Sequence, residues 1–344
     1  MSEFLGIDYP TIWFLVIGAL FSGYAILDGF DLGAGAWHLF LKKEENRRIA
    51  LNAVGPVWDG NEVWLVIGGG ALFAGFPVLY ATLLSAMYVP FMLFLMFIIL
   101  RAVSIEFRSK ENMQWWRTTW DITYCVSSAM LAFLLGVVLG NVMLGMPFDE
   151  NYIYRGSWLA FLNPYALLVG LTTLTLMMTH GGIYLTLKTE GQLFSKVEAL
   201  LKKSMIAFIV LFVLVSLYTL IYIPHLEDRI KSNPLAFAIP VLAILSIANI
   251  PRLINKKSYK GAFLFSSLTF SFLLILVALE LYPVLLISTL NGAWNLTVYT
   301  AAASDKSLGL MLTFVAIGAP LVLTYTIFVY RTFWGVVKLD ETSY

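Results

Sequence analysis

Charge is the scarcest property of this 344-residue sequence. Asp, Glu, Lys and Arg make up 12% of it, about half the share found in soluble domains. Hydrophobic residues make up 60%, against about 45–50% in soluble domains. No stretch between the hydrophobic runs can hold a soluble domain, which excludes a soluble protein on a single anchor. The chain reads as one transmembrane domain over 1–344. Cysteine is nearly absent: Cys125 stands alone, which excludes an intrachain disulfide and suits a small buried apolar side chain. The net charge is +1 and no basic cluster interleaves with aromatics, so nothing points to nucleic acid. Residues 1–8 hold no Lys or Arg, so no cleavable signal peptide is expected. Nucleotide-binding glycine loops, metal-type Cys/His clusters and nucleophile–base spacings are missing as well.

What the sequence does have is long apolar runs. Nine are long enough to span a bilayer, over 12–41, 50–76, 79–105, 118–144, 164–187, 204–224, 234–251, 261–287 and 307–335, at about 20 residues per span. The expected class is an all-α integral membrane protein with nine transmembrane helices. Lys and Arg fall 18 on one side of the membrane and 4 on the other under this count. Because cytosolic loops collect positive charge, the N-terminus is expected outside and the C-terminus in the cytosol. The side with few positive charges holds Arg155, Arg229, Lys231 and Lys306. Trp13, Trp37, Trp115, Trp116, Trp120, Trp158, Trp294 and Trp334 fall near span ends, where amphipathic rings anchor at the interface. Gly29 and Gly33, Gly136 and Gly140, and the run Gly68-Gly69-Gly70 read as places where helices approach closely.

The most informative stretch is Trp58-Asp59-Gly60-Asn61-Glu62-Val63-Trp64, inside the second span. Asp28 and Asp31 repeat the anomaly in the first. Each acidic pair is three residues apart and so shares a helical face. Both spans flank the charged loop Lys42 to Arg48, and Asp31 and Asp59 each lie roughly 16 Å from it at 1.5 Å per residue. The four acids are therefore expected at one level. Ionisable groups at such depth are costly and usually mark an ion or proton path. Helix–helix hydrogen bonding between protonated acids is the alternative. Arg101 could snorkel to the interface, or turn inward to pair with Asp59 or Glu62. Trp58 and Trp64 could pack, or contact a cofactor or quinone. Asp121 reads as interfacial and Glu280 as an interior hydrogen-bonding residue.

Haem ligation by two histidines of this chain is not expected. His38 lies near the cytosolic surface, His225 near the outer one and His180 roughly 12 Å inside, so no two share a level. His180 reads as an interior hydrogen-bonding residue, and the chain is expected to carry no haem ligand or metal site of its own.

These elements, taken in order, resemble subunit II of the cytochrome bd quinol oxidases. The resemblance is carried by Asp28-Gly29-Phe30-Asp31-Leu32-Gly33, Arg47-Arg48, Trp58 to Trp64 and Arg101 to Arg108. It continues through Gly136 to Phe148, Leu162-Asn163-Pro164, His180 to Gly191 and Gly318 to Gly335, and is weakest over the sixth to eighth spans. It implies two four-helix bundles plus one peripheral helix, in a multi-pass subunit of the bacterial cytoplasmic (inner) membrane. It further implies a heterodimer in which subunit I holds the quinol site and three haems, b and d or a b-type variant. Some members add a small single-helix subunit, and some carry a structural quinone in subunit II. The implied reaction oxidises quinol and reduces O2 to water, and the implied proton route runs near the Trp-Asp-Gly-Asn element. On that basis Asp59, with Asp28, Asp31 and Glu62, is the expected proton pathway. Two other classes compete: a stand-alone proton-coupled transporter, and a scaffold subunit whose acids are only structural.

The orientation is open to test. In intact cells or inverted membrane vesicles, Lys42 and Lys338 should react with an impermeant amine reagent only from the cytosolic face, and Lys306 only from outside. Cytosolic labelling of Lys306 would mean that a span is miscounted.

Overall fold

In the computed structural model, residues 3–4, 6–223 and 237–339 are described. His225, Arg229, Lys231 and Pro234, and with Pro234 the start of the expected seventh span, lie outside them. The helices run α1 Tyr9–Ala36, α2 Glu44–Val54, α3 Trp58–Gly75, α4 Pro77–Ala86, α5 Tyr88–Phe107 and α6 Gln114–Leu144. They continue with α7 Pro164–Lys188, α8 Gly191–Tyr222, α9 Ala238–Asn255, α10 Tyr259–Leu281 and α11 Asp305–Thr332. Two short antiparallel pairs accompany them: β1 Glu3–Phe4 with β2 Ile7–Asp8, and β3 Val284–Leu286 with β4 Leu296–Thr297. Among the described residues, eight helices are long and apolar enough to cross a membrane, or up to nine if α3 and α4 count as one broken span.

The starts of the long helices are written locally. The Asp8 carboxylate accepts from the Thr11 N–H at the head of α1, with Pro10 in the first turn. Asn163 does the same for Ala166 ahead of α7, with Pro164 as first helical residue. In both, a side chain satisfies a donor that the helix leaves open, and proline occupies a position needing no N–H.

Two expected spans are broken. The 50–76 segment separates into α2 and α3 at Gly55-Pro56-Val57, because Pro56 has no N–H to give and its ring opposes a continuous helix. The 79–105 segment separates into α4 and α5 at Met87, since Pro90 cannot bond to the Ala86 carbonyl and crowds it. Between them the chain turns by 118° from α3 to α4, with Pro77 opening the new helix. The expected eighth span also ends early: α10 stops at Leu281, and Val284–Leu286 form a strand.

The centre of the fold is α7, packed against α1, α6 and α8. Small residues permit the approach. A Cβ on Gly33 of α1 would overlap the Met177 carbonyl of α7, and one on Gly181 of α7 would overlap the Phe30–Ala34 backbone of α1. Gly136 and Gly140 of α6 meet α7 at Gly170 and Ala166 in the same way. Gly29 makes only ordinary contacts, and of the three consecutive glycines only Gly68 faces a neighbour, Phe21, while Gly69 and Gly70 face open space. The close approach expected of that run therefore rests on Gly68 alone.

Tryptophan placement divides. Trp115, Trp158 and Trp334 are exposed, as interface anchors should be. Trp13 and Trp37 are buried, and donate their indole N–H groups to the carbonyls of Leu308 at 3.0 Å and Met178 at 2.8 Å. A ring at a span end that meets a neighbouring helix serves packing, with its one polar atom satisfied internally.

Gly181→Val should destabilise the protein by about 1–3 kcal/mol or more, as for an overpacked core, seen as a lower Tm and less monodisperse protein in detergent. Gly70→Ala, on an open face, should leave both unchanged.

Candidate functional site

Helix α1 brings Asp28 and Asp31 to its buried side, 1% and 0% exposed. Tyr24, one turn earlier, is buried with them. Across from them, the break at Pro56 starts α3 at Trp58, so Asn61 and Glu62 fall within its first two turns. Arg101, on the last third of α5, is wholly buried. Its guanidinium donates from Nη2 to Asp28 Oδ1 at 2.8 Å and from Nη1 to Glu62 Oε2 at 3.2 Å. It also lies over the buried Trp58 ring, 6.0 Å from the centroid.

Asp31 has a different partner. Its Oδ2 accepts from Asn61 Nδ2 at 2.7 Å, and the Asn61 oxygen accepts from the Tyr330 hydroxyl of α11 at 2.9 Å. The site thus ties α1, α3, α5 and α11 together. Three carboxyl groups thus surround one guanidinium and one amide, so the group holds more acidic side chains than basic ones.

Of the sequence-derived residues, the structure brings together Asp28, Asp31, Glu62, Arg101 and Trp58. Asp59 is set apart: it is exposed on α3 beside Gly60. Arg101 turns inward, as one alternative had it, but pairs with Asp28 and Glu62 rather than with Asp59. Trp58 and Asn61 take the inner side of the first turn of α3, which leaves Asp59 on its outer side. Trp64 is half-buried, seats its ring against Gly23 of α1, and lines a cavity of about 360 Å³ with Asn61, Tyr325 and Tyr330. Trp58 does not line it.

A second buried charge cluster was missed. Asp121, read as interfacial, is 1% exposed. It accepts from His38 Nε2 and Arg108 Nε, both at 2.5 Å, and from Arg47 Nη1 at 2.9 Å. Arg108 and Arg117 also pair with Glu44. This cluster joins the turn after α1, α2, the end of α5 and α6 at the end of the bundle that carries the 42–48 loop. The signal was present in α6, where Asp121, Tyr124 and Ser128 recur at helical spacing among apolar residues.

His180 is wholly buried, with Nδ1 2.7 Å from the Ser266 hydroxyl and Nε2 3.0 Å from the Ile26 carbonyl. Both ring nitrogens are engaged, so this side chain does not suit haem ligation. Among the described residues no group of His, Cys, Asp and Glu is placed to hold a metal ion.

Residues 9–333 match the family described as cytochrome bd terminal oxidase subunit II. The chain belongs to that family. It is 30% identical over 371 residues to the cytochrome bd-I ubiquinol oxidase subunit 2 of Escherichia coli (strain K12), covering 97% of both chains. It is 33% identical over 301 residues to the cytochrome bd ubiquinol oxidase subunit 2 of Bacillus subtilis (strain 168), covering 87% of this chain and 88% of that one. Its fold matches a chain of the bd oxidase from Geobacillus thermodenitrificans with a TM-score of 0.78 at 18% identity, covering 94% and 98% of the two chains. As a family member the protein is a subunit of a terminal oxidase, and the stand-alone transporter reading is not favoured.

Removing Arg101 should leave Asp28 buried without its counter-charge. Arg101→Gln is expected to cost about 3–5 kcal/mol, read as a lowered Tm and loss of assembled complex, and adding Asp28→Asn should restore part of it.

Proposed function

We propose that this chain is the haem-free half of a quinol oxidase heterodimer and supplies protons to the oxygen chemistry of its partner. The partner, cytochrome bd subunit I, holds haems b and d, or a b-type variant, together with the quinol site. A small single-helix subunit completes the complex in some members. The assembly lies in the bacterial cytoplasmic membrane with nine spans in this chain, as two four-helix bundles and a peripheral helix. Its N-terminus is outside and its C-terminus in the cytosol. The positive charge of the loops supports that orientation.

The observation that carries the proton role is the buried group of Asp28, Asp31, Glu62 and Arg101. Four-electron reduction of oxygen to water consumes protons, and drawing them from the cytosol separates charge across the membrane without a pump. Three carboxyl groups near one guanidinium can take up and release a proton at lower cost than an isolated acid, because Arg101 offsets part of the charge. Asp59 is the outlet in this reading. A carboxylate exposed on a membrane helix is expensive in lipid, so its natural neighbour is subunit I. Asp59 then passes protons across the interface from Glu62, one helical turn away. Where a structural quinone is held by this subunit, its contact falls to Trp64, which lines the cavity beside Asn61 and Tyr330.

The test is substitution in the complete oxidase. Asp59→Asn keeps size and hydrogen bonding but removes the exchangeable proton. It should leave assembly and haem content intact while quinol oxidase turnover and proton uptake fall, by roughly a hundredfold if Asp59 is obligatory. Asp31→Asn should also slow uptake, by less if the acids act in parallel. Should both variants assemble fully and turn over at the unmodified rate from about pH 5 to 9, across the carboxyl range, the acids are structural and the scaffold reading stands.

A further inference from the structure

The two buried clusters are joined by a polar stripe that no role described so far uses. On α1 and the turn after it, Asp31, Gly35 and His38 follow at intervals of four and three residues, one helical face. On α6 facing them are Asp121, Tyr124 and Ser128, with the same periodicity. A Cβ on Gly35 would meet the Ser128 hydroxyl and the Tyr124 ring, so both side chains lie against α1 between the clusters. The Tyr124 ring stands edge-on to His38, 5.1 Å between centroids. Tyr124 also packs in one buried cluster with Leu51, Trp58 and Ile105, and Arg101 lies over the Trp58 ring.

Along this stripe, four buried polar atoms have no protein partner, His38 Nδ1, Tyr124 Oη, Ser128 Oγ and Asp31 Oδ1, and Arg101 Nε in the acid group has none either. Buried polar atoms in native proteins are satisfied, and where side chains do not do it, water does. Four such atoms along about 10 Å, the length of seven helical residues, mark a hydrated file rather than isolated defects. One end is the acid group. The other is the Asp121 cluster, whose outer side forms a polar pocket of about 330 Å³ lined by Lys42, Glu44, Arg47, Arg117 and Asp121, among others.

We infer that this stripe is a proton entry to the acid group, a water file running from the Asp121 pocket past His38, Tyr124 and Ser128 to Asp31. The inference rests on the proton role proposed for the acids. Asp121 is not itself the carrier. Arg47, Arg108 and His38 all pair with it, so both of its oxygens are already engaged. Its part is to accept from His38 Nε2, which fixes the imidazole and leaves Nδ1 as an acceptor turned to the file. The charged groups around His38 are Asp121, Arg108 and Arg47. Tyr124 and Ser128 pass protons by exchanging hydrogen bonds with the waters, each giving one proton as it accepts another, so neither changes charge.

The test uses Tyr124→Phe and Ser128→Ala, singly and together, in the complete oxidase with its partner subunit. Each removes one buried hydroxyl and nothing else. If the hydroxyls are only structural, their loss leaves proton uptake unchanged. The file predicts the split result: unchanged haem content and little change in Tm, because water takes over the hydrogen bonds each hydroxyl gives up, with proton uptake after an oxygen pulse slowed roughly tenfold in the double variant. That is less than the loss of a positioned acid or base, since water can bridge part of the gap. The solvent isotope effect on turnover should rise with it. Uptake at the unmodified rate in the double variant, with Asp31→Asn slow, overturns the file and leaves the acid site standing. Unmodified rates in both overturn the file together with the proton role.

Discussion

A guanidinium out of reach of water has to be neutralised where it sits, and Arg101 is such a group. Its two carboxylate partners come from different helices, Asp28 on α1 and Glu62 on α3. The ion pairs therefore dictate how α1, α3 and α5 sit against each other more strictly than apolar side chains could. Apolar packing between membrane helices tolerates sliding, because lipid is as apolar as the neighbouring helix. A buried charge pair does not, because a shift of a few ångströms leaves an uncompensated charge. The Asn61–Asp31 and Tyr330–Asn61 hydrogen bonds extend the same constraint to α11, which otherwise leaves most of its side chains exposed.

The glycines act in concert with this. Gly33 and Gly181 let the backbones of α1 and α7 touch, which draws the acids of α1 into the middle of the bundle. Polar chemistry at depth and close helix contact are thus two products of one short stretch, Asp28 to Gly35. Its acids would be out of place without its glycines, and its glycines would leave α1 loosely held without the acids.

Much of this was legible from residue type and spacing. The apolar runs marked an all-helical chain with eight or nine candidate spans, and the three-residue spacing put Asp28 and Asp31 on one face, where both are buried. Spacing could not say which acid faced in. That depends on where Pro56 restarts the helix, and a break shifts the rotation of everything after it. Asp59 and Glu62 are equivalent as letters, yet one is exposed and the other bound to Arg101. Asp121 was obscured for another reason. Depth along the chain measures distance to the loop, whereas burial depends on what the loop folds over, and here α2 and the end of α5 cover it with Arg47 and Arg108. Trp13 and Trp37 were misjudged on the same ground.

The exposure of Asp59 also gives the unassembled chain a defect. A carboxylate on the outer face of a membrane helix costs up to about 3 kcal/mol while lipid is its neighbour. A covering subunit removes that cost, so newly made chains still waiting for a partner form the less stable population.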